Sequence, residues 1–143
     1  MRLIEYRNGT ASIVEVKQLL SYAAGSSSSE KLNQILDKVY SSPDTKLYVM
    51  TTNNKVLGIL GSKRSEDSAE ILHLAVDIHK RRRGIGRQMI DEWMALEQPL
   101  VVTAETDHDA VGFYRKYGFI IHSLGEKYPG VERFLCRFIL QSR

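Results

Sequence analysis

Between Ala69 and Glu105 the chain permits few arrangements. AEILHLAVDI (Ala69–Ile78) is almost continuously apolar, as a strand covered on both faces must be. A glycine turn follows among five basic side chains, Lys80, Arg81, Arg82, Arg83 and Arg87. It opens an amphipathic stretch, Ile85–Glu97, whose apolar stripe of Ile85, Met89, Trp93 and Leu96 recurs at helical spacing. Pro99 prevents that helix from continuing, and PLVVTAE (Pro99–Glu105) is a second buried-looking strand. Strand, turn, helix, strand is a right-handed βαβ unit, and such a unit needs a sheet and a covering layer around it.

The flanks supply both. Arg2–Arg7 alternates as a strand does. Ala11–Ala24 carries Ile13, Val16, Leu20 and Ala23 at helical spacing, with Thr10 or Ser12 to cap it and Gly25 to stop it. GSSSS (Gly25–Ser29) reads as a short connector ending in the cap Ser29, followed by a helix over Glu30–Tyr40 with a stripe of Leu32, Ile35, Leu36 and Val39. Lys46–Thr52 and Lys55–Ser62 read as a hairpin turning at Asn53-Asn54, since Asn tolerates positive φ. A polar loop spans Lys63–Ser68. Further on, Asp107–Tyr117 reads as a helix with a stripe of Ala110, Phe113, Tyr114 and Tyr117 and Gly118 just past its end. Phe119–Leu124 and Glu132–Leu140 close the chain as strands. The expected order is β-α-α-β-β-β-α-β-α-β-β: one α/β domain over residues 1–143 with a mixed central sheet of about seven strands.

Composition narrows the function. With 43% hydrophobic and 26% charged residues the chain is globular in type, and its 143 residues suit one domain. The formal net charge of +3 is modest, so the basic turn is a local site rather than part of a basic protein. A single cysteine, Cys136, excludes an intrachain disulfide and a cysteine-rich metal site; it alternates with Phe134 and Phe138 as a core residue does. His73, His79, His108 and His122 have no metal-ligand spacing. MRLIEYRNGT lacks the apolar core of a signal peptide and no run suits a membrane span, so the expected compartment is a reducing cytoplasm, with no membrane partner.

The helix that starts near Gly84 has no Ser, Thr, Asp or Asn placed to cap it. Its first N–H groups are orphan donors at the positive end of the helix dipole. Gly84 and Gly86 let an anion approach the backbone, and the surrounding Arg and Lys add charge. The turn is neither a Walker A loop, lacking Gly-Lys-Ser/Thr, nor the dinucleotide fingerprint, because Met89 stands where a third glycine belongs. A tight turn with a solvated basic face, or a basic patch for nucleic acid, is the competing reading of these residues. The second lacks aromatic interleaving and a reading helix.

ILHLAV, RRRGIG and DAVGFYRKYGF together resemble the GNAT superfamily of acyl-CoA-dependent N-acetyltransferases. The resemblance covers the element order of nearly the whole chain and is most specific from Ala69 to Phe119. It implies that Arg81, Arg82, Arg83, Gly84, Ile85, Gly86 and Arg87 bind the pyrophosphate of acetyl-CoA through main-chain amides. It implies too that Leu74, Ala75 and Val76 pair with the pantetheine arm. Tyr114 matches the family's general acid, and Glu70 the base of its histone-acetyltransferase branch. His73 and Glu105 are rivals for the base, as is water, and Glu70 and His73 point to opposite faces if the strand keeps period 2. Tyr114 and Tyr117 also fit as core aromatics, and Glu70 as a strand-end carboxylate in water. Many family members have Asn where Asp107 stands; a carboxylate caps the helix but offers no N–H to a cofactor.

The implied activity is transfer of an acetyl group from acetyl-CoA to a primary amine, on a small molecule or a protein, by direct attack in a ternary complex and without a metal. A non-catalytic acyl-CoA-binding module is the alternative, followed by a nucleic-acid-binding domain. Acceptor choice is expected to lie in Gly25–Tyr40 and the loop Gly125–Val131, whose acidic residues Glu30, Asp37 and Glu126 are too scattered to name a substrate. The C-terminal strand suits either a homodimer or a monomer.

Overall fold

The computed structural model describes residues 1–7 and 9–140. In chain order it contains β1 (Arg2–Glu5), α1 (Ile13–Ala24), α2 (Ser29–Gln34), β2 (Thr45–Thr52), β3 (Lys55–Ser65), β4 (Ser68–Val76), α3 (Ile85–Glu97), β5 (Val101–Thr106), α4 (His108–Tyr117), β6 (Ile120–Tyr128) and β7 (Val131–Ile139). This is the expected order of elements. The strands make one mixed seven-stranded sheet, ordered β1-β2-β3-β4-β5-β7-β6. β4 and β5 are parallel, whereas β1–β2, β2–β3, β5–β7 and β6–β7 are antiparallel. The chain divides into two compact units, one of Met1–Lys63 with His73–Gln98, the other of Arg64–Leu72 with the chain from Pro99 onward.

In the first unit β2 and β3 are buried on both faces, so their side chains divide between two layers. Leu47, Val49 and Ile59 join Val16, Leu19, Leu20 and Leu32 of α1 and α2 in one core cluster. On the opposite face, Tyr48 pairs with Leu60 and Met50 with Gly58, against α3. There Trp93 is fully buried and its Nε1–H donates to Ser62 Oγ at 3.1 Å, while the Tyr48 hydroxyl donates to Glu97. Each fully buried side chain of this size contributes about 1.5–3 kcal/mol, and Trp93 and Tyr48 also place their polar atoms with partners.

Several boundaries differ from the sequence reading. Ser12 caps α1, but the cap of α2 is Ser28, not Ser29. α2 is short and passes into a π-helical turn, Ile35–Val39, closed by Tyr40 N–H donating to Ile35 O at 3.3 Å. Asn53 and Asn54 both have positive φ, 49° and 64°, the geometry of a two-residue hairpin turn. The polar stretch expected as a loop at Lys63–Ser68 is mostly strand, reversed at Glu66-Asp67 with Glu66 at φ 55°. β4 ends at Val76 rather than Ile78, because Asp77 caps a 3-10 turn over Ile78–Lys80 by accepting from His79 N–H. On α3 the buried positions are Ile85, Met89, Ile90, Trp93 and Met94; Leu96 lies in solvent, 58% exposed.

In the second unit, Val102 and Ala104 of β5 and Cys136 of β7 are buried. α4 packs through Val111 and Tyr114. Asp107 caps it by accepting from Asp109 N–H and Ala110 N–H at 3.0 and 3.2 Å. The loop expected at Gly125–Val131 is largely strand: β6 runs on to Tyr128 and the hairpin turns at Pro129-Gly130. Among the described residues, no helix is long and apolar enough to cross a membrane.

β3 contains two glycines that matter for space. A Cβ at Gly58 would lie 2.7 Å from Met89 Sδ, and one at Gly61 1.7 Å from Tyr40 Oη. Gly61→Ala is therefore expected to lower stability by roughly 1–3 kcal/mol through overpacking. By contrast Gly112, in exposed α4 helix with nothing within 4 Å of its Cβ position, should gain up to about 1 kcal/mol on replacement by Ala. Urea unfolding of the two variants beside the parent chain checks both signs.

Candidate active site

α3 begins at Gly84, which takes a left-handed conformation (φ 77°), and no side chain caps the helix. Its first helical bond runs from Gln88 N–H to Gly84 O at 3.0 Å, so the amides of Ile85 and Gly86 precede the helical ladder. Among the described residues, nothing beyond its neighbours along the chain lies within 4 Å of a Cβ position on Gly84. Glycine here serves φ and leaves the approach to the turn open. Arg82 reaches a left-handed φ of 64° without being glycine, which marks a tightly wound turn. A phosphate or similar anion fits this arrangement of amides ahead of the helical ladder, helix dipole and cationic side chains.

The four arginines of the turn do not act alike. Arg81 folds back over its own unit: its Nε donates to Val76 O at 3.2 Å, and its guanidinium lies 5.5 Å from the Tyr22 ring centroid. It ties the end of β4 to α1. Arg82, Arg83 and Arg87 are exposed around Gly84.

β4 carries the residues expected to hold an extended arm. Its parallel ladder with β5 runs from Ser68↔Val101 to Ile71↔Ala104, and the strand continues through Leu72–Val76. Ala75 is buried in the core cluster, while Leu74 and Val76 are half-buried. The Asp77 N–H donates to Leu57 O at 2.7 Å, anchoring the strand end to β3.

Three groups compete to accept a proton. Glu70 is exposed, as a strand-end carboxylate in water would be. Glu105 is clamped in an ion-pair cluster, 3.2 Å from both Lys127 Nζ and Arg133 Nε. Its slight burial alone would raise it, but the two cations and their hydrogen bonds outweigh that and hold the carboxyl below its ordinary range. That makes it a weak base. His73 is half-buried, and burial lowers its pKa, keeping the imidazole neutral at pH 7. Its Nδ1 lies 2.5 Å from Tyr40 Oη, a contact that sequence reasoning missed. The i→i+5 turn that aims Tyr40 leaves no spacing signature in the sequence.

Tyr114 is buried in the second unit, with ring centroids 5.3 Å from Phe113 and 5.1 Å from Phe119. Burial, and secondarily the nearby Cys136 thiol, push its phenol well up, so it carries its proton at neutral pH. Tyr117 joins Phe119 and Phe138 in the same aromatic group, the packing role expected of it. Burial pushes the Cys136 thiol up to about 11, leaving little thiolate at neutral pH.

A family model described as an acetyltransferase (GNAT) domain matches residues 43–121, more than half of the chain. The fold is also similar to that of an aminoglycoside 6'-N-acetyltransferase complexed with coenzyme A, at 14% identity over 100% of this chain and 99% of that one, with TM-score 0.79. A GNAT family acetyltransferase from Elizabethkingia anophelis with acetyl-CoA bound is 21% identical over 96% and 97% of the two chains, with TM-score 0.69. A Bacillus subtilis acetyltransferase in complex with CoA is 16% identical over 98% and 99%, with TM-score 0.71. At these identities the likeness is one of fold.

The Glu105 cluster predicts a pH effect of definite sign. Its folded carboxyl lies below the ordinary value of 4.5, so the unfolded chain takes up the proton first as pH falls. The stabilisation is complete above that value and is lost as pH drops through the folded one. Urea midpoints between pH 6 and pH 3 should fall less steeply in Glu105→Gln than in the parent.

Proposed function

The chain belongs to the GNAT acetyltransferase family, and we propose that it moves the acetyl group of acetyl-CoA to a primary amine by direct attack in a ternary complex, residues 1–143 acting as one acetyltransferase domain. The observation that carries this reading is the start of α3: a left-handed Gly84, no capping side chain, and basic residues around it directly after β4. The proposed roles follow from that frame. The amides of the turn Arg81–Arg87 bind the pyrophosphate, and the backbone of Leu74–Val76 pairs with the pantetheine arm. Arg81 acts by holding the strand end, through Val76 O and Tyr22, rather than as a phosphate ligand.

The reaction forms a C–N bond and breaks a C–S bond. The amine must give up one proton and the departing thiolate must gain one. Tyr114 is proposed as the donor to sulfur, a role its firmly held proton suits. The acceptor of the amine's proton is a group on β4, Glu70 or His73. A main-chain N–H of Leu74–Val76 polarises the thioester carbonyl in the manner of an oxyanion hole.

Two measurements test the reading. Thermal melts with acetyl-CoA, dephospho-coenzyme A, ATP and a short duplex at one ionic strength should show a selective shift with acetyl-CoA, about 2.7 kcal/mol of added stability at 100 times its Kd. A shift with duplex alone, or with none of them, removes the basis of the proposal. Tyr114→Phe should then lower kcat for acetyl-CoA consumption with amines by ten-fold or more, about 10²–10⁴ being the usual reach of a general acid, while acetyl-CoA binding stays as it was. Unchanged kcat returns Tyr114 to the aromatic core; binding without consumption by any amine favours the acyl-CoA-binding module.

A further inference from the structure

The contact between Tyr40 and His73 joins three features of the first unit. The π-helical turn Ile35–Val39 delivers Tyr40 to β4, and Gly61 leaves the space its ring needs. Its hydroxyl meets His73 Nδ1 at 2.5 Å, the two rings 5.7 Å apart and tilted. Tyr40 also lines a cavity of about 340 Å³, with Leu36 and Leu47 among its apolar walls. That volume falls within the range of small-molecule sites, about 300–1,000 Å³. The other titratable and charged residues lining the cavity are Glu5, Tyr6, Arg7, Lys17, Asp37 and Lys46. Arg7 is paired with Glu5 and Lys46 with Glu97, each at 3.5 Å.

His73 also directly precedes Leu74–Val76, the stretch proposed for the pantetheine arm. The cavity is lined by Thr45–Leu47, which pair with Gly61–Lys63 at the far end of β3, whereas Leu57, near the start of β3, accepts from Asp77 beside the basic turn. Cavity and turn therefore lie toward opposite ends of the strands of this unit, with the Tyr40–His73 contact between them in the order of residues along β4.

Resting on the acetyltransferase reading, we propose that the cavity admits the acceptor as a primary ammonium and that Tyr40 and His73 together remove its proton. One ammonium proton passes to Tyr40 Oη as the Tyr40 hydroxyl proton passes to His73 Nδ1. The tyrosine is regenerated, the imidazole becomes an imidazolium, and the amine keeps its lone pair for attack on the thioester carbonyl. The imidazolium then returns its proton to water, and the second proton that the nitrogen loses as the C–N bond forms replaces the one Tyr114 gives to sulfur. No electron is gained or lost by any group. Burial holds His73 neutral and the Tyr40 phenol protonated before the transfer, the starting state such a relay needs.

The test uses the full chain and its Tyr40→Phe, His73→Gln, double and Glu70→Gln variants. Tyr40→Phe keeps the ring against Gly61 and removes only the hydroxyl, so a stability loss and a relay loss are separable by melting each variant. Initial rates are measured with acetyl-CoA and each of tyramine, spermidine and a lysine peptide, from pH 6 to pH 9. With whichever amine is acetylated, each single variant should lose about 100-fold in kcat at pH 7, the scale of general-base catalysis. The double variant should lose no more than either single one, and the deficit should narrow as rising pH deprotonates the amine directly. The acetyl-CoA melting shift and the KM for acetyl-CoA should not move. Near-parental kcat in both single variants, with the loss appearing in Glu70→Gln instead, overturns the relay while leaving the acetyltransferase reading intact. Losses that multiply in the double variant also overturn it, since the two groups would then act separately. Acetyl-CoA binding without acetylation of any amine removes the parent reading and the relay with it.

Discussion

At Gly58 a Cβ would sit 2.7 Å from the Met89 sulfur, and at Gly61 it would fall on the Tyr40 hydroxyl. The two positions lie three residues apart on one strand, so they face opposite layers. β3 therefore carries a notch on each face. One lets α3 press close enough to bury Met89 and Trp93 completely. The other seats the aromatic ring that reaches His73. Interiors are packed without slack, so filling either notch moves a functional element, not just a neighbour.

The start of α3 shows how a chain can make an electropositive site without committing side chains to it. A capping Ser or Asp would have satisfied the first amides and closed the position to anions. Gly84 supplies the left-handed conformation and contributes no acceptor. Arginine then divides its work. Arg81 spends its donor on Val76 O and its face on Tyr22, stiffening the turn, while the others supply charge. A count of positive residues cannot make that distinction.

Element order, the βαβ unit within Ala69–Glu105, the Asn-Asn hairpin and the uncapped helix were all legible, because each rests on local pattern. What escaped the sequence depends on distant partners or on geometry without a spacing rule. Glu105 was a rival for the base in the sequence, but Lys127 and Arg133 of the β6–β7 hairpin lie beside its carboxyl. Tyr40 looked like the last residue of an ordinary helix, and one wide turn redirected it. Leu96 matched the apolar stripe of α3 but is exposed, because the buried face of the helix runs through Met89, Ile90, Trp93 and Met94. GEKY read as loop because its composition is polar. It is strand nonetheless, held by pairing with Val131–Arg133.

β6 has almost every side chain in solvent and occupies the edge of the sheet. Its register against β7 slips twice, between Ser123 and Gly125 and again between Glu126 and Tyr128. Such slips twist an edge and interrupt the row of backbone groups that another strand would need. The far half of this hairpin is thus shielded from sticking to a second chain by its backbone shape. Apart from Lys127 and Arg133, which hold Glu105, its side chains face solvent, and substitutions there meet little of the core.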